Sequence, residues 1–266
     1  MSNIIHFIHR FLLALSFLTI LPVPVFFFRK DVEKDNSINV DFSKSSTFFP
    51  LIGLLIGSIL FVSYLLSKYF PLLVHLQSGL ILMLWIALSG GLHLEGLADM
   101  VDGFSGGRNK DEIIAIMKDG SIGAKGAISL ILLILLKYLL LLSLTEHVKG
   151  VIFLLAPMLG RWSMVLVAYL GKPASSSNTL TEIFTKYLGK RELFISTLFT
   201  VIPSLLLFPL EFIYQPIILL LITAGITASL VFYSNYKIGG ICGDVIGAAN
   251  EINELAVLLV SFLIIN

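Results

Sequence analysis

Glu95, Asp99 and Asp102 stand at spacing i, i+4, i+7 in the stretch Gly90-Gly91-Leu92-His93-Leu94-Glu95-Gly96-Leu97-Ala98-Asp99-Met100-Val101-Asp102-Gly103. On a helix these carboxylates share one face, within about 60° of arc. They follow directly on an apolar run. Three like charges there repel one another, and dehydrated carboxylates beside a hydrocarbon core are costly and rare. A divalent cation relieves both problems. Oxygen-only ligands favour Mg²⁺, or Mn²⁺, over zinc. His93 could add a nitrogen ligand, bond to a substrate, or simply pack.

Downstream, Gly103-Phe104-Ser105-Gly106-Gly107-Arg108 offers glycines that let a backbone approach phosphate and an arginine for a bidentate contact; a plain flexible loop would read the same way. Lys118-Asp119-Gly120-Ser121 sets a cation beside an acid before a turn, so Lys118 could neutralise phosphate and Asp119 could orient a nucleophile or complete a metal shell. A second acidic cluster, Asp244, Asn250, Glu251 and Glu254, opens the last apolar segment. Asp244 and Glu251 are seven apart and share a helical face. Two acidic clusters on one membrane side could hold two metals, an arrangement suited to displacement at phosphorus. Arg161 stands inside an apolar run, where an arginine pairs or lines a polar cavity; Lys137 is similar. The expected division of labour follows. Asp99, Asp102, Asp119, Asp244 and Lys118 are catalytic. His93, Arg108, Arg161, Ser121 and Asn250 bind substrate. Glu95, Asp99, Asp102, Asp244 and Glu251 bind metal.

The elements that must hold these groups are membrane helices. Of 266 residues, 57% are hydrophobic and 13% charged, against about 25% charged in a soluble domain. Eight apolar segments, near 4–21, 47–67, 76–94, 126–145, 150–171, 193–210, 216–236 and 245–265, predict a single all-α domain over residues 1–266: a polytopic bundle of about seven or eight transmembrane helices. The first segment carries His6, His9 and Arg10 and could instead lie in the interface. Loops one, three, five and seven hold thirteen basic residues: Arg29, Lys30, Lys34, Lys44, Arg108, Lys110, Lys118, Lys125, Lys172, Lys186, Lys190, Arg191 and Lys237. The even loops hold two, Lys68 and Lys149. The positive-inside rule therefore puts both acidic clusters on the cytoplasmic side of a multi-pass protein of the cell (inner) membrane. The third loop, about thirty residues long, has a length that commonly serves function. Net charge of +1 gives no support to nucleic-acid binding, and the lone Cys242 forms no internal disulfide. No cleavable signal peptide is evident.

In these residues the chain resembles the cobalamin synthases, also called adenosylcobinamide-GDP ribazoletransferases. The resemblance runs in order through Phe17-Leu18-Thr19 with Pro22-Val23-Pro24, Phe49-Pro50-Leu51-Ile52-Gly53, the His93-to-Gly103 motif, Met117-Lys118-Asp119, Gly160-Arg161-Trp162 and Gly243-Asp244-Val245-Ile246-Gly247-Ala248. Two positions depart from it: Glu95 stands where the family often has Asp, and Ile20 where many members have Arg. The resemblance implies that a hydroxyl of α-ribazole, or of its 5′-phosphate, attacks the corrinoid-side phosphorus of adenosylcobinamide-GDP. GMP leaves, and cobalamin or its 5′-phosphate forms. The expected partners are these substrates and membrane lipid; a homo-oligomer stays open. Two other classes set acids near a membrane face. The CDP-alcohol phosphotransferases need Asp-Gly-x-x-Ala-Arg, whereas here Glu95-Gly96-Leu97-Ala98 is followed by Asp99. Secondary transporters favour mid-span acids and inverted repeats, and neither is evident.

Overall fold

A chain this apolar must satisfy its backbone polar groups within itself wherever it meets lipid, and helices do so segment by segment. The computed structural model describes residues 2–23, 35–70, 73–174, 180–208 and 212–264. Among these residues the chain forms twelve α-helices and no strand beyond an isolated bridge between Pro173 and Ile241. In order they are α1 (Ser2–Leu18), α2 (Asp35–Ser45), α3 (Phe49–Ser67), α4 (Val74–Leu88), α5 (Leu92–Gly106) and α6 (Lys110–Met117). There follow α7 (Ala124–Ser143), α8 (Glu146–Leu170), α9 (Leu180–Tyr187), α10 (Lys190–Leu206), α11 (Tyr214–Ile238) and α12 (Gly243–Ile264). Arg29, Lys30 and Lys34 of the charge bias, and Pro24 of the Pro-Val-Pro motif, lie outside the described residues.

The hub is α8. Its apolar stretch is 83% buried, and α3, α10, α11 and α12 surround it. Small residues set the closest approach: a Cβ at Gly53 or Gly57 of α3 would fall 2.4 or 2.3 Å from the α8 backbone at Pro157 or Phe153. Between apolar helices in lipid such close packing is a main source of association. On the periphery, α7 exposes Ile128, Ile131, Leu132, Leu135 and Leu139, the pattern of a lipid-facing helix. Pro157 and Pro203 sit inside helices without ending them.

The span count differs from the seven or eight expected. Five helical stretches are long and apolar enough to cross a membrane: Asn39–Ser67, Ala124–Ser143, Val148–Leu170, Tyr214–Ile238 and Gly243–Ile264. A sixth exists if α4 and α5 count as one broken span. Three segments account for the difference. The first, α1, has an apolar stretch of only His6–Leu18. The sixth, α10, is 17 residues long. The third, expected to run straight through 76–94, breaks after Leu88 and turns by 85° into α5. Gly90 and Gly91 make that corner with φ of 64° and 74°, a region open to glycine and strained for other residues. The third loop is correspondingly not a loop: α5, α6 and the start of α7 fill most of it.

Candidate active site

The corner at Gly90-Gly91 throws α5 across the end of α12. Gly96 is the crossing point, where an added Cβ would stand 3.0 Å from the Asp244 Cα and carbonyl oxygen. Glycine at 96 thus lets the two acidic segments meet. Glu95, Asp99 and Asp244 line one cavity of about 280 Å³, with His93 beside them. Its opposite wall is aromatic. Phe17, Phe49 and Phe184 face the carboxylates, with ring centroids of Phe17 and Phe49 at 5.6 and 5.7 Å from Phe184. The lining residues flank every odd loop, from Phe17 and Ser46 through Glu95 and Thr181 to Asp244.

Among the described residues no lysine or arginine lines the cavity. Three carboxylates therefore act on one another with no Lys or Arg among those residues to offset them. Among the described residues no three His, Cys, Asp or Glu side chains converge into a ready-made metal cage. Mg²⁺ does not need such a cage, since it keeps several waters and usually takes one or two carboxylates plus substrate phosphate. Glu95, Asp99 and Asp244 are the residues that could hold it. His93, also in the lining, is 2% exposed, and its buried Nε2 has no hydrogen-bond partner among the described residues.

Asp102 has a different occupation. Its two carboxylate oxygens accept the Gly123 and Gly126 amides, each at 2.8 Å, and so cap the first turn of α7. The i+7 spacing placed it on the right face but could not show that the next helix begins there. The C-terminal end of α5 is held by two lysines counted in the sequence only as charge: Lys125 donates to the Ser105 carbonyl at 2.8 Å and Lys237 to that of Phe104 at 3.1 Å.

The second cluster is divided by depth. Asp244 enters the cavity, whereas Glu251 and Glu254 lie inside the bundle. Lys137 donates to Glu251 at 2.6 Å and to Glu254 at 2.7 Å, and Arg161 pairs with Glu254. Asn250 donates to both glutamates at 3.1 Å. All five are buried. The two cations and two carboxylates balance, which is what a dehydrated set of charges requires. Glu251, Asn250 and Arg161 are thus absent from the cavity lining and serve a buried ion network. One helical turn of extra depth per four residues along α12 accounts for the separation from Asp244. Arg108, Lys118, Asp119 and Ser121 lie exposed around α6 and line no part of the cavity. Ser121 donates to Asp119 at 2.8 Å, and Asp119 faces solvent.

Phe184 is a wall residue that sequence reasoning did not single out, and no local signal marks it. Cys242 donates its S–H toward Asp244 at 3.7 Å, and burial together with that carboxylate pushes the thiol up to about 12.

The geometry has close relatives in sequence. An "Adenosylcobinamide-GDP ribazoletransferase" of Clostridium kluyveri is 36% identical over 227 residues, covering 85% of this chain and 88% of the relative. Proteins of the same name from Clostridium tetani and Thermoanaerobacter sp. (strain X514) are 35% and 31% identical over 96% and 95% of this chain, and 96% of each relative. No solved structure matches the chain significantly. The family model for cobalamin-5-phosphate synthase matches residues 10–262, nearly the whole chain, and this chain belongs to that family.

Proposed function

We propose that the chain is an adenosylcobinamide-GDP ribazoletransferase that works in the cavity bounded by Glu95, Asp99 and Asp244. The observation that carries this is a carboxylate-lined cavity with no lysine or arginine among its described lining residues, facing an aromatic wall, in a chain of this family. A pyrophosphate is repelled by such a cavity unless cations intervene. Bound Mg²⁺, or Mn²⁺, would supply that charge and polarise the phosphorus under attack. The chain's own groups do the rest. Glu95, Asp99 and Asp244 would hold that metal and so position the phosphates. A carboxylate of the same set accepts the proton of the attacking ribazole hydroxyl as its oxygen bonds to phosphorus, and the bond to GMP breaks. His93 Nε2 supplies a hydrogen bond to a phosphate oxygen. Phe17, Phe49 and Phe184 offer flat faces to the aromatic base of α-ribazole or its 5′-phosphate.

A corrin ring is far larger than a cavity of about 280 Å³. The ring therefore stays at the mouth while its activated arm enters. The mouth opens on the side carrying the basic odd loops, which by the positive-inside rule is the cytoplasm. Single cysteines introduced at Asn109 should react with an impermeant maleimide only after the membrane is opened; labelling from outside intact cells would reverse that orientation.

The decisive assay is GMP release from adenosylcobinamide-GDP with α-ribazole, in reconstituted protein, across a Mg²⁺ titration. Wild type should require the metal, and Asp99→Asn should lose turnover by about 10²-fold or more, the scale of removing one electrostatic contact in a transition state. Near-normal activity of Asp99→Asn at low metal would sink the assignment. Subunit stoichiometry of the reconstituted enzyme, read by light scattering, would decide whether it acts as a homo-oligomer.

A further inference from the structure

A second cavity, of about 510 Å³, opens between α1, α10 and the turn from α2 into α3, and the catalytic reading above does not use it. Arg10, Lys44 and Arg191 bring three cations to it, and Glu192, Phe48 and Phe199 also stand in its wall. The Glu192 carboxylate is turned back to the Gly189 amide at 3.1 Å, capping α10. Asp41, beneath, accepts from Arg10 at 2.7 Å and fixes that guanidinium. Lys44 and Arg191 form no ion pair among the described residues. Among the described residues the cavity thus carries a net positive charge, with no carboxylate set against Lys44 or Arg191.

The surroundings specify the ligand. Phe48 and Phe199 stack at 6.1 Å to form an apolar floor. The rim includes the apolar Phe7, 52% exposed, and three residues on from Arg191 in α10 Phe194 is 63% exposed. A soluble anion needs the cations and has no use for this rim. A lipid needs both. Lys44 and Arg191 also belong to the basic odd loops, the side on which anionic leaflet lipids and basic pockets between helices meet.

We propose that this cavity binds the phosphate headgroup of an anionic phospholipid, gripped by Lys44 and Arg191 over the Phe48–Phe199 floor, with its acyl chains along α1 and α10. The same turn serves two sites. Lys44 and Thr47 face the lipid cavity, while Ser46 and Phe49 line the catalytic one. A headgroup held there would clamp α1 and α10 against the back of the active-site wall. It would also give the short α1 a reason to end in the interface with its basic residues.

The full-length protein, purified in detergent and offered an equal mixture of dioleoyl phosphatidylglycerol and dioleoyl phosphatidylcholine, reports the site by native mass spectrometry of the retained lipid. One basic side chain near an anionic headgroup favours it by about fivefold, so two unpaired ones predict roughly a 25-fold preference for phosphatidylglycerol. Lys44→Gln and Arg191→Gln should each lower this to about fivefold and the double variant to near unity. Arg191→Lys should keep the preference, and Lys190→Gln, one residue away on the same helix but outside the cavity, should leave it unchanged. These two variants separate loss of the site from loss of the fold. An equal retention of both lipids by wild type, or a preference that survives in the double variant, overturns the proposal. So does removal of the preference by millimolar inorganic phosphate, which would make the cavity a soluble-anion site.

Discussion

Asp99 and Asp102 stand three residues apart on one helix and should fail in different ways when neutralised. The Asp102 carboxylate accepts two backbone amides at the start of α7, at 2.8 Å each. Hydrogen bonds to a charged acceptor contribute about 1.5–3 kcal/mol each, and an anion at a helix N-terminus adds about 0.3–1 kcal/mol. Asp102→Asn keeps one oxygen for one amide, turns an NH₂ donor toward the other, and loses the charge. The net loss is then about 2–3 kcal/mol. At about 2–4 °C per kcal/mol for a chain of this size, the melting temperature should fall by roughly 5–10 °C. Turnover measured well below that melt should stay within about tenfold of wild type, because the residue acts on the helix and not on the reacting atoms. Asp99→Asn should do the reverse, with a melting temperature at or above wild type and turnover nearly abolished. The assay pairs a thermal melt in detergent, followed by tryptophan fluorescence, with GMP release across a Mg²⁺ titration. A variant Asp102→Asn with an unchanged melt and a manyfold higher Mg²⁺ half-saturation would refute this division and return Asp102 to the metal.

Removing Lys137 should show the cost of an unbalanced interior: Lys137→Met leaves Glu251 and Glu254 with Arg161 alone, a loss of about 3–5 kcal/mol, seen as poor yield of folded protein. Lys137→Met with Glu251→Gln restores neutrality and should recover most of that yield; no recovery would mean the pairing is incidental. Phe184→Ala should raise the KM for α-ribazole about fivefold and leave that for adenosylcobinamide-GDP within twofold, given stacking worth about 1 kcal/mol; equal effects on both would remove the aromatic wall from base recognition. Cys242, with its thiol pushed up to about 12 by burial and Asp244, should react with maleimide at pH 7 far more slowly than a cysteine introduced at Asn109, and rapid labelling at 242 would contradict the packing around it.

The sequence disclosed the acidic helix because periodicity is a property of the local chain. Glu95, Asp99 and Asp102 sit on one helical face as their spacing requires. It could not disclose which carboxylate meets a neighbour's backbone, since the start of α7 at Ala124 is set by the preceding glycines and by packing. The same limit applies to α12. Asp244 and Glu251 do share a face, but two turns along a membrane helix carry a side chain from the rim of the bundle into its interior, where Lys137 waits. Depth is a tertiary quantity. The span count failed for a related reason. Hydropathy sums composition over a window, and the window 76–94 is apolar throughout, whereas Gly90 and Gly91 turn the chain at a right angle within it.

Electrostatic economy then separates structure from chemistry among these acids. In the interior, Lys137 and Arg161 answer Glu251 and Glu254, with Asn250 bridging the two carboxylates. A set so balanced holds helices together and has little charge left to act on a substrate. At the rim, Glu95, Asp99 and Asp244 face a cavity with no lysine or arginine among its described lining residues. Nothing about folding explains leaving three carboxylates together without one, since any lysine on the facing turn of α8 or α9 would relieve them. The positions facing them hold Met164, Ala168, Thr181 and Phe184 instead. A cavity kept negative by its own walls attracts only what arrives positive. A pyrophosphate, which is negative, can enter only in company with a cation that binds both partners. Metal and activated corrinoid should therefore bind with positive linkage, each raising the other's affinity by the same factor. Calorimetric titration of adenosylcobinamide-GDP at several Mg²⁺ concentrations measures that factor. An affinity independent of the metal would show that some cation of the chain, not seen in the lining, already does its work.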